Sequence, residues 1–277
     1  MQTCRTLRRV VAMATDRAEA HRWQVERRNS SLEADLLAPV LLIYLLAGLV
    51  KGAMGFGLPL VAISLLPLAV PVETALALNA IVVVVTNLQQ VVQGGKYRAG
   101  FSNAWPLVLG MIIAIPPAAF LAAGLDSDTL LLIVGAAVLA FIAASVVNPT
   151  LALPAWLQKP AGLAFGVIGG VVGALTSAPA AVMAPYMLAL HLPRSDYMTA
   201  FGMVLSSFGL IVGASYAAVS ILDWSHFGPG LVSIPVAIAG MWVGDRWARR
   251  LATETFRRAV LMLLAILAVV LIRRALT

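Results

Sequence analysis

Charge is scarce in this chain. Asp, Glu, Lys and Arg make up 11% of its residues, against about a quarter in an ordinary soluble domain. Sixty-one per cent of the residues are hydrophobic and the mean hydropathy is +0.95. A soluble globular protein is thereby excluded. Cysteine is nearly missing as well: Cys4 stands alone, so neither an internal disulfide nor a cysteine-based metal cluster can form. His191 and His226 lie at no ligand spacing with each other or with a carboxylate. Ser177 and His191 lack any nucleophile-elbow context, and no phosphate-binding loop is present. No enzyme, built-in ATPase, metal site or cofactor is therefore expected. Basic residues outnumber acidic ones by 19 to 12. In an apolar chain that excess fits cytoplasmic loops better than nucleic acid.

What is abundant is apolar sequence in runs of about twenty residues, the signature of membrane-spanning helices rather than of a membrane barrel. Residues 1–35 stand apart as a basic tail, with Arg5, Arg8, Arg9, Arg17, Arg22, Arg27 and Arg28 and no apolar stretch placed as in a cleavable signal. Met13 is an alternative start. The first membrane half is expected over 36–147, a linker over 148–160, and the second half over 161–277.

The organising stretch is Lys51-Gly-Ala-Met-Gly-Phe-Gly-Leu-Pro59. Three glycines and a proline in nine residues do not hold a regular helix. Neither flanking run, Leu36–Val50 or Leu60–Val70, spans a bilayer comfortably at about 1.5 Å per residue. The pair makes one broken span or a re-entrant hairpin. A second break is expected in Gly166–Pro179. Gly48, Gly52 and Gly55 align with Gly166, Gly170 and Gly173 at one offset; Pro71 pairs with Pro193, and Gly124 with Gly244. The chain thus reads as an all-α polytopic membrane protein of two four-segment repeats, each opening with a Gly/Pro-broken or re-entrant helix.

Loop charges bear on how the halves face. Lys96 and Arg98 occupy the second loop of the first half, and Asp126 and Asp128 the third. In the second half the second loop carries Asp223, and the third carries Arg246, Arg249, Arg250, Arg257 and Arg258. The reversal favours an inverted repeat, with two re-entrant segments and three spans per half. It also places Arg273 and Arg274 on the outer side, against the same rule.

Broken helices free backbone N–H groups at membrane depth, and helix N-termini attract anions. The candidate substrate-binding residues are Gly52, Gly55, Gly57, Gly170 and Gly173 at the breaks, where the backbone can approach a ligand. Lys51, the basic residue inside the apolar body, joins them by charge; snorkelling to an interface is the alternative. Thr176 and Ser177 offer hydroxyls, or simply cap the following half-helix. Asn79 and Asn87 offer amides on the helix after the first break, where Thr86, Gln89 and Gln90 also lie.

These features resemble the sulfite exporter TauE/SafE family of membrane permeases. Gly-Phe-Gly-Leu-Pro within Gly48–Pro67, and Ser-Ala-Pro within Gly166–Pro185, carry the resemblance. So do the helices beginning Pro-x-Glu and Pro-x-Ser-Asp, over about residues 36–277. Ala180 and Ala181 depart from the pattern. The resemblance implies a secondary transporter in the inner (plasma) membrane for small sulfur-containing or organic anions such as sulfite or sulfonates, often outward. Coupling would be to a proton or ion gradient. The expected partners are a small anion and the bilayer, with a homo-oligomer left open. The alternative is a non-transporting membrane scaffold or assembly protein whose breaks serve packing alone.

Overall fold

Apolar runs bounded by proline and glycine set the helices. The computed structural model describes residues 36–55, 57–147, 153–248 and 253–276, and no strand occurs among them. Val40–Thr277 forms a compact unit. The helices are α1 (Leu36–Met54), α2 (Leu58–Leu65, continued by a 3₁₀ turn Leu66–Leu68), α3 (Val72–Gly94), α4 (Tyr97–Ala123) and α5 (Ser127–Val147), then α6 (Ala155–Thr176), α7 (Ala180–Ala189), α8 (Arg194–Ala218), α9 (Phe227–Ala248) and α10 (Thr253–Ala275). Six of them, α1, α3, α4, α6, α8 and α9, are long and apolar enough to cross a membrane. The expected tail 1–35, most of the arginine run after α9 and the start of the linker lie outside the described residues.

Pro71 and Pro193, both extended, precede α3 and α8, a placement that costs a helix no internal hydrogen bond. Other boundaries fall elsewhere than expected. The loop Gly94–Gly100 shrinks to Gly95 and Lys96, because Gly95 closes α3 in the left-handed region (φ 71°) and α4 starts at once. The linker 148–160 is shortened from behind: α6 begins at Ala155, with Pro160 inside it.

The second break falls at the end of its expected stretch, Gly166–Pro179. Gly55 ends α1 with φ +81°, its N–H bonded to the Lys51 carbonyl at 2.7 Å, the left-handed terminator that favours glycine. In the second half the same cap is made by Ser177 (φ 54°), bonded to Gly173 O at 2.6 Å. Gly173 therefore lies inside α6. The break sits four residues, about one turn, later than the glycine alignment places it.

Glycines let the helices approach backbone to backbone. A Cβ on Gly48 would stand 2.2 Å from Ala237 O, and one on Gly52 1.9 Å from Met241 O. This rising register makes α1 and α9 parallel. Gly166 against Leu107 O (2.3 Å) and Gly170 against the Met111 Cα (3.3 Å) make α6 parallel to α4 in the same way. Gly240 and Gly110 are each seated in the glycine turn of the helix they pack on, and Gly244 meets Leu49 O at 2.0 Å while Gly124 approaches only its own last turn. At the centre, Gly202 meets Asn87 and Val91, while Gly209 meets Ala80 and Val84. That falling register makes α3 and α8 antiparallel.

The contacts also sort the helix ends. On one face Lys96 pairs with Asp196 at 3.1 Å, beside the end of α9. On the other, Ser127 donates to Glu73 at 2.5 Å, Arg274 donates to Pro67 O, and His226 and Asp223 pair at 3.0 Å. Asp126 on this second face caps α5 through Thr129, and those hydrogen bonds hold its carboxyl below the usual range.

Two glycines test the packing argument. Gly166→Leu would drive a side chain into the Leu107 main chain, and overpacking of this kind costs about 1–3 kcal/mol. Gly213, where a Cβ would meet nothing within 4 Å, should gain up to about 1 kcal/mol on replacement by Ala. Unfolding midpoints in detergent should fall for the first and hold or rise for the second. Equal effects would remove the close approach of α6 to α4.

Candidate functional site

The first break is a hairpin. Lys51, near the end of α1, lies opposite Thr86 and Asn87 of α3. Pro59, in the first turn of α2, lies opposite Asn79. The chain has turned back within that interval, because Gly55 and Gly57 both take positive φ (+81° and +105°). α2 then runs back toward the start of α3. α1, itself long and apolar enough to cross a membrane, and α2 thus fold back on each other as a hairpin.

Lys51 is 2% exposed. Its Nζ donates to Asn87 Oδ1 at 2.5 Å and to Thr86 Oγ1 at 3.4 Å. Thr86 and Asn87 are in turn anchored to the α3 carbonyls of Val82 and Val83. No carboxylate pairs with Lys51 among the described residues. A buried ammonium without a counter-ion is costly at membrane depth. Two neutral acceptors use two of its three N–H donors, and the third is left toward the space beside it.

That space is a cavity of about 800 Å³. Lys51, Gly52 and Gly55 line it from α1, Gln89, Gln90 and Gln93 from α3, Tyr197 from α8, and Trp242 and Asp245 from α9. Gln90 donates to Met198 O at 3.4 Å, and Gln89 Oε1 is buried without a partner. Arg246 stacks over the Trp242 ring at 3.8 Å, a cation–π contact at the cavity's edge. The cavity belongs to the face that carries Lys96 and Asp196.

The second break lies on the other side of Asn79. The Asn79 Nδ2 donates to Pro59 O at 3.2 Å and to Ser177 O at 3.4 Å, so one side chain ties both interruptions together. Thr176 Oγ1 accepts from the Ala178 N–H at 3.3 Å, which closes the turn between the helices, whereas α7 itself has no side-chain cap. The α6 end is fixed further by Tyr216, whose hydroxyl donates to Ala174 O at 2.6 Å.

The candidate residues thus divide. Lys51, Gly52 and Gly55 face the cavity, and Asn87 reaches it through Lys51. Gly57, Asn79, Thr176 and Ser177 form the buried junction of the breaks. Gly170 and Gly173 are packing positions: a Cβ on Gly173 would lie 2.6 Å from the Phe208 ring, and one on Gly170 would press on Met111 and Ala114. Sequence reasoning missed Gln93, Tyr197, Trp242 and Asp245 as cavity residues. Gln89 and Gln93 share a helical face at i, i+4, a signal that could have added Gln93. The others arrive through tertiary packing of α8 and α9.

The model of the family described as Sulfite exporter TauE/SafE matches residues 40–271, a range that takes in both breaks and the whole cavity lining. No curated protein and no solved structure matches the chain. With nearly all of the membrane part inside the matched range, the chain belongs to the TauE/SafE sulfite exporter family, a family of membrane transporters.

Proposed function

We propose that this protein is a secondary transporter of small sulfur-containing or organic anions, sulfite or sulfonates among them, driven by a proton or ion gradient. The observation that carries the reading is Lys51: a buried cation, held among the described residues by two neutral acceptors, facing a cavity that opens between the ends of α1, α3, α8 and α9. An anion in the cavity completes the charge balance. The glutamine amides of Gln89, Gln90 and Gln93 add donors that accept no proton, so an anion can be held without being titrated.

The two halves are read as an inverted repeat. Antiparallel α3 and α8, with α1 on α9 exchanging for α6 on α4, are the contacts expected of a two-fold axis lying in the membrane plane. Lys96, Arg98 and Arg246 then share one face, and the positive-inside rule makes it cytoplasmic. The cavity is open to the cytoplasm in this arrangement, the loading state of an exporter in the inner membrane. On the other face a cavity of about 700 Å³ lies between α4 and α8, lined by Pro116, Phe120, Gly124, Ala214 and Ser215, but the positions matching Lys51 and Gly52 do not open into it. Gly169 packs against Met183, and Gly170 against Met111 and Ile115.

Reconstitution tests the substrate site. Lys51→Met should cut the apparent affinity for sulfite or a sulfonate in proteoliposomes about 10- to 100-fold, the worth of one charge-assisted hydrogen bond of about 1.5–3 kcal/mol. Its unfolding midpoint should not fall, because an uncompensated buried charge has gone. Unchanged flux in a folded Lys51→Met protein would sink the site. Absence of flux and of stabilisation by any anion in the wild type would favour the scaffold reading.

Labelling tests the orientation. In a Cys4→Ser background, Gln93→Cys should react with a membrane-impermeant thiol reagent in inside-out vesicles and not in intact cells. Reaction from the outer side alone would reverse the assignment of faces.

A further inference from the structure

The junction of the breaks holds two oxygens without partners. Asn79 Oδ1 and Ser177 Oγ are both buried, both residues are 0% exposed, and neither atom has a hydrogen-bond partner among the described residues. A buried polar atom left unmade is costly, and two of them on a pair of residues that are hydrogen-bonded to each other point to an occupant. The other end of the Asn79 amide, Nδ2, meets two main-chain carbonyls, Pro59 O and Ser177 O. None of these four oxygens belongs to a carboxylate.

The donor set restricts the occupant. Amide, hydroxyl and backbone carbonyl do not titrate near neutrality, so a proton is excluded. Anions are disfavoured because three of the four oxygens can only accept. Divalent cations take carboxylates as well as neutral oxygens. A water could donate to both unpartnered oxygens but gains nothing from the two carbonyls unless it has further protons. A small monovalent cation takes all four oxygens at once, and unwound backbone carbonyls at helix breaks are where transporters hold one.

We infer that the junction of the two breaks is a sodium site, formed by Asn79 Oδ1, Ser177 Oγ and the carbonyls of Pro59 and Ser177. The two ends of an amide have nearly the same shape, so a half-turn of the Asn79 side chain replaces a donor with an acceptor toward the carbonyls. Without the cation, Nδ2 bridges the breaks; with it, the ion does. The site draws ligands from α2, α3 and the end of α6 together. Sodium therefore binds only when the two hairpins are docked as they are here, which ties a cation gradient to the arrangement of the halves. This goes beyond the anion reading and is read out without flux.

The test uses the purified full-length chain in detergent at constant chloride and ionic strength. Sodium chloride at about ten times the dissociation constant should raise the unfolding midpoint by several degrees over choline chloride, and potassium chloride should not. Ser177→Gly removes one ligand at a position whose φ of 54° suits glycine, so its midpoint in choline should hold or rise while the sodium increment disappears. Ser177→Ala is the second variant, with the same expectation for the increment. A wild type that does not distinguish sodium from choline overturns the site, and so does a potassium shift equal to the sodium shift. A sodium increment retained in both Ser177 variants overturns it as well.

Discussion

A main chain interrupted in hydrocarbon must satisfy its freed groups on protein, and here one side chain does so for both interruptions. Asn79 donates to Pro59 O of the first hairpin and Ser177 O of the second. With no water to compete, each such bond weighs more than on a surface. The constraint reaches outward. Asn79 can bridge the breaks only if α3 passes between them, and α3 can do so only if α1 and α2 fold back beside it. The deep burial of α3 and α8 relative to the other long helices follows from this central place.

Close approach of the remaining helices rests on small residues rather than on hydrophobicity, since lipid tails are as apolar as leucine. Gly48 and Gly52 bring α1 onto α9, and Gly166 and Gly170 bring α6 onto α4. These are the glycines whose even offset first suggested a duplication. Their spacing is a packing requirement of parallel helices, and the breaks are set separately by Gly55 and Ser177. Two different jobs written in one residue type explain why the second break falls inside the expected Gly166–Pro179 stretch but one turn after the glycine that aligns with Gly55. At Gly173 a glycine is needed beside Phe208 and Pro179. One turn later the left-handed cap is taken by a serine, which no glycine pattern can announce.

The all-helical class was legible in composition, and Lys51 stood out as a charge in an apolar run. Its partners did not. Thr86 and Asn87 are local to α3, but only the hairpin sets them opposite Lys51, 35 and 36 residues away. Asn79 could be chosen because a buried amide needs partners, though its bonds to both breaks span 20 and 98 residues. Tyr197, Trp242 and Asp245 lay beyond sequence reasoning altogether. Tyr197 sits in the first turn of α8, and the other two near the end of α9, where aromatics and acids are ordinary interface and dipole residues. They become cavity walls only because α8 runs antiparallel to α3 while α9 runs parallel to α1.

The proposed repeat is similar in backbone and unlike in chemistry. At the offset of the packing glycines, Lys51 corresponds to Gly169, which is pressed by Met183. At the offset of the proline-led helices, Asn79 corresponds to Phe201 and Asn87 to Gly209. The cation, both amides and the glutamine face therefore all belong to the first half, and the second half supplies hydroxyls, carbonyls and packing. A transporter with a symmetric scaffold needs that symmetry to exchange two conformations of similar energy. It does not need two substrate sites, and a second lysine at membrane depth would repel the first across a low dielectric. In the proposed transporter, a charge placed in one half alone gives a single binding event, for which the other half need only offer a packing surface.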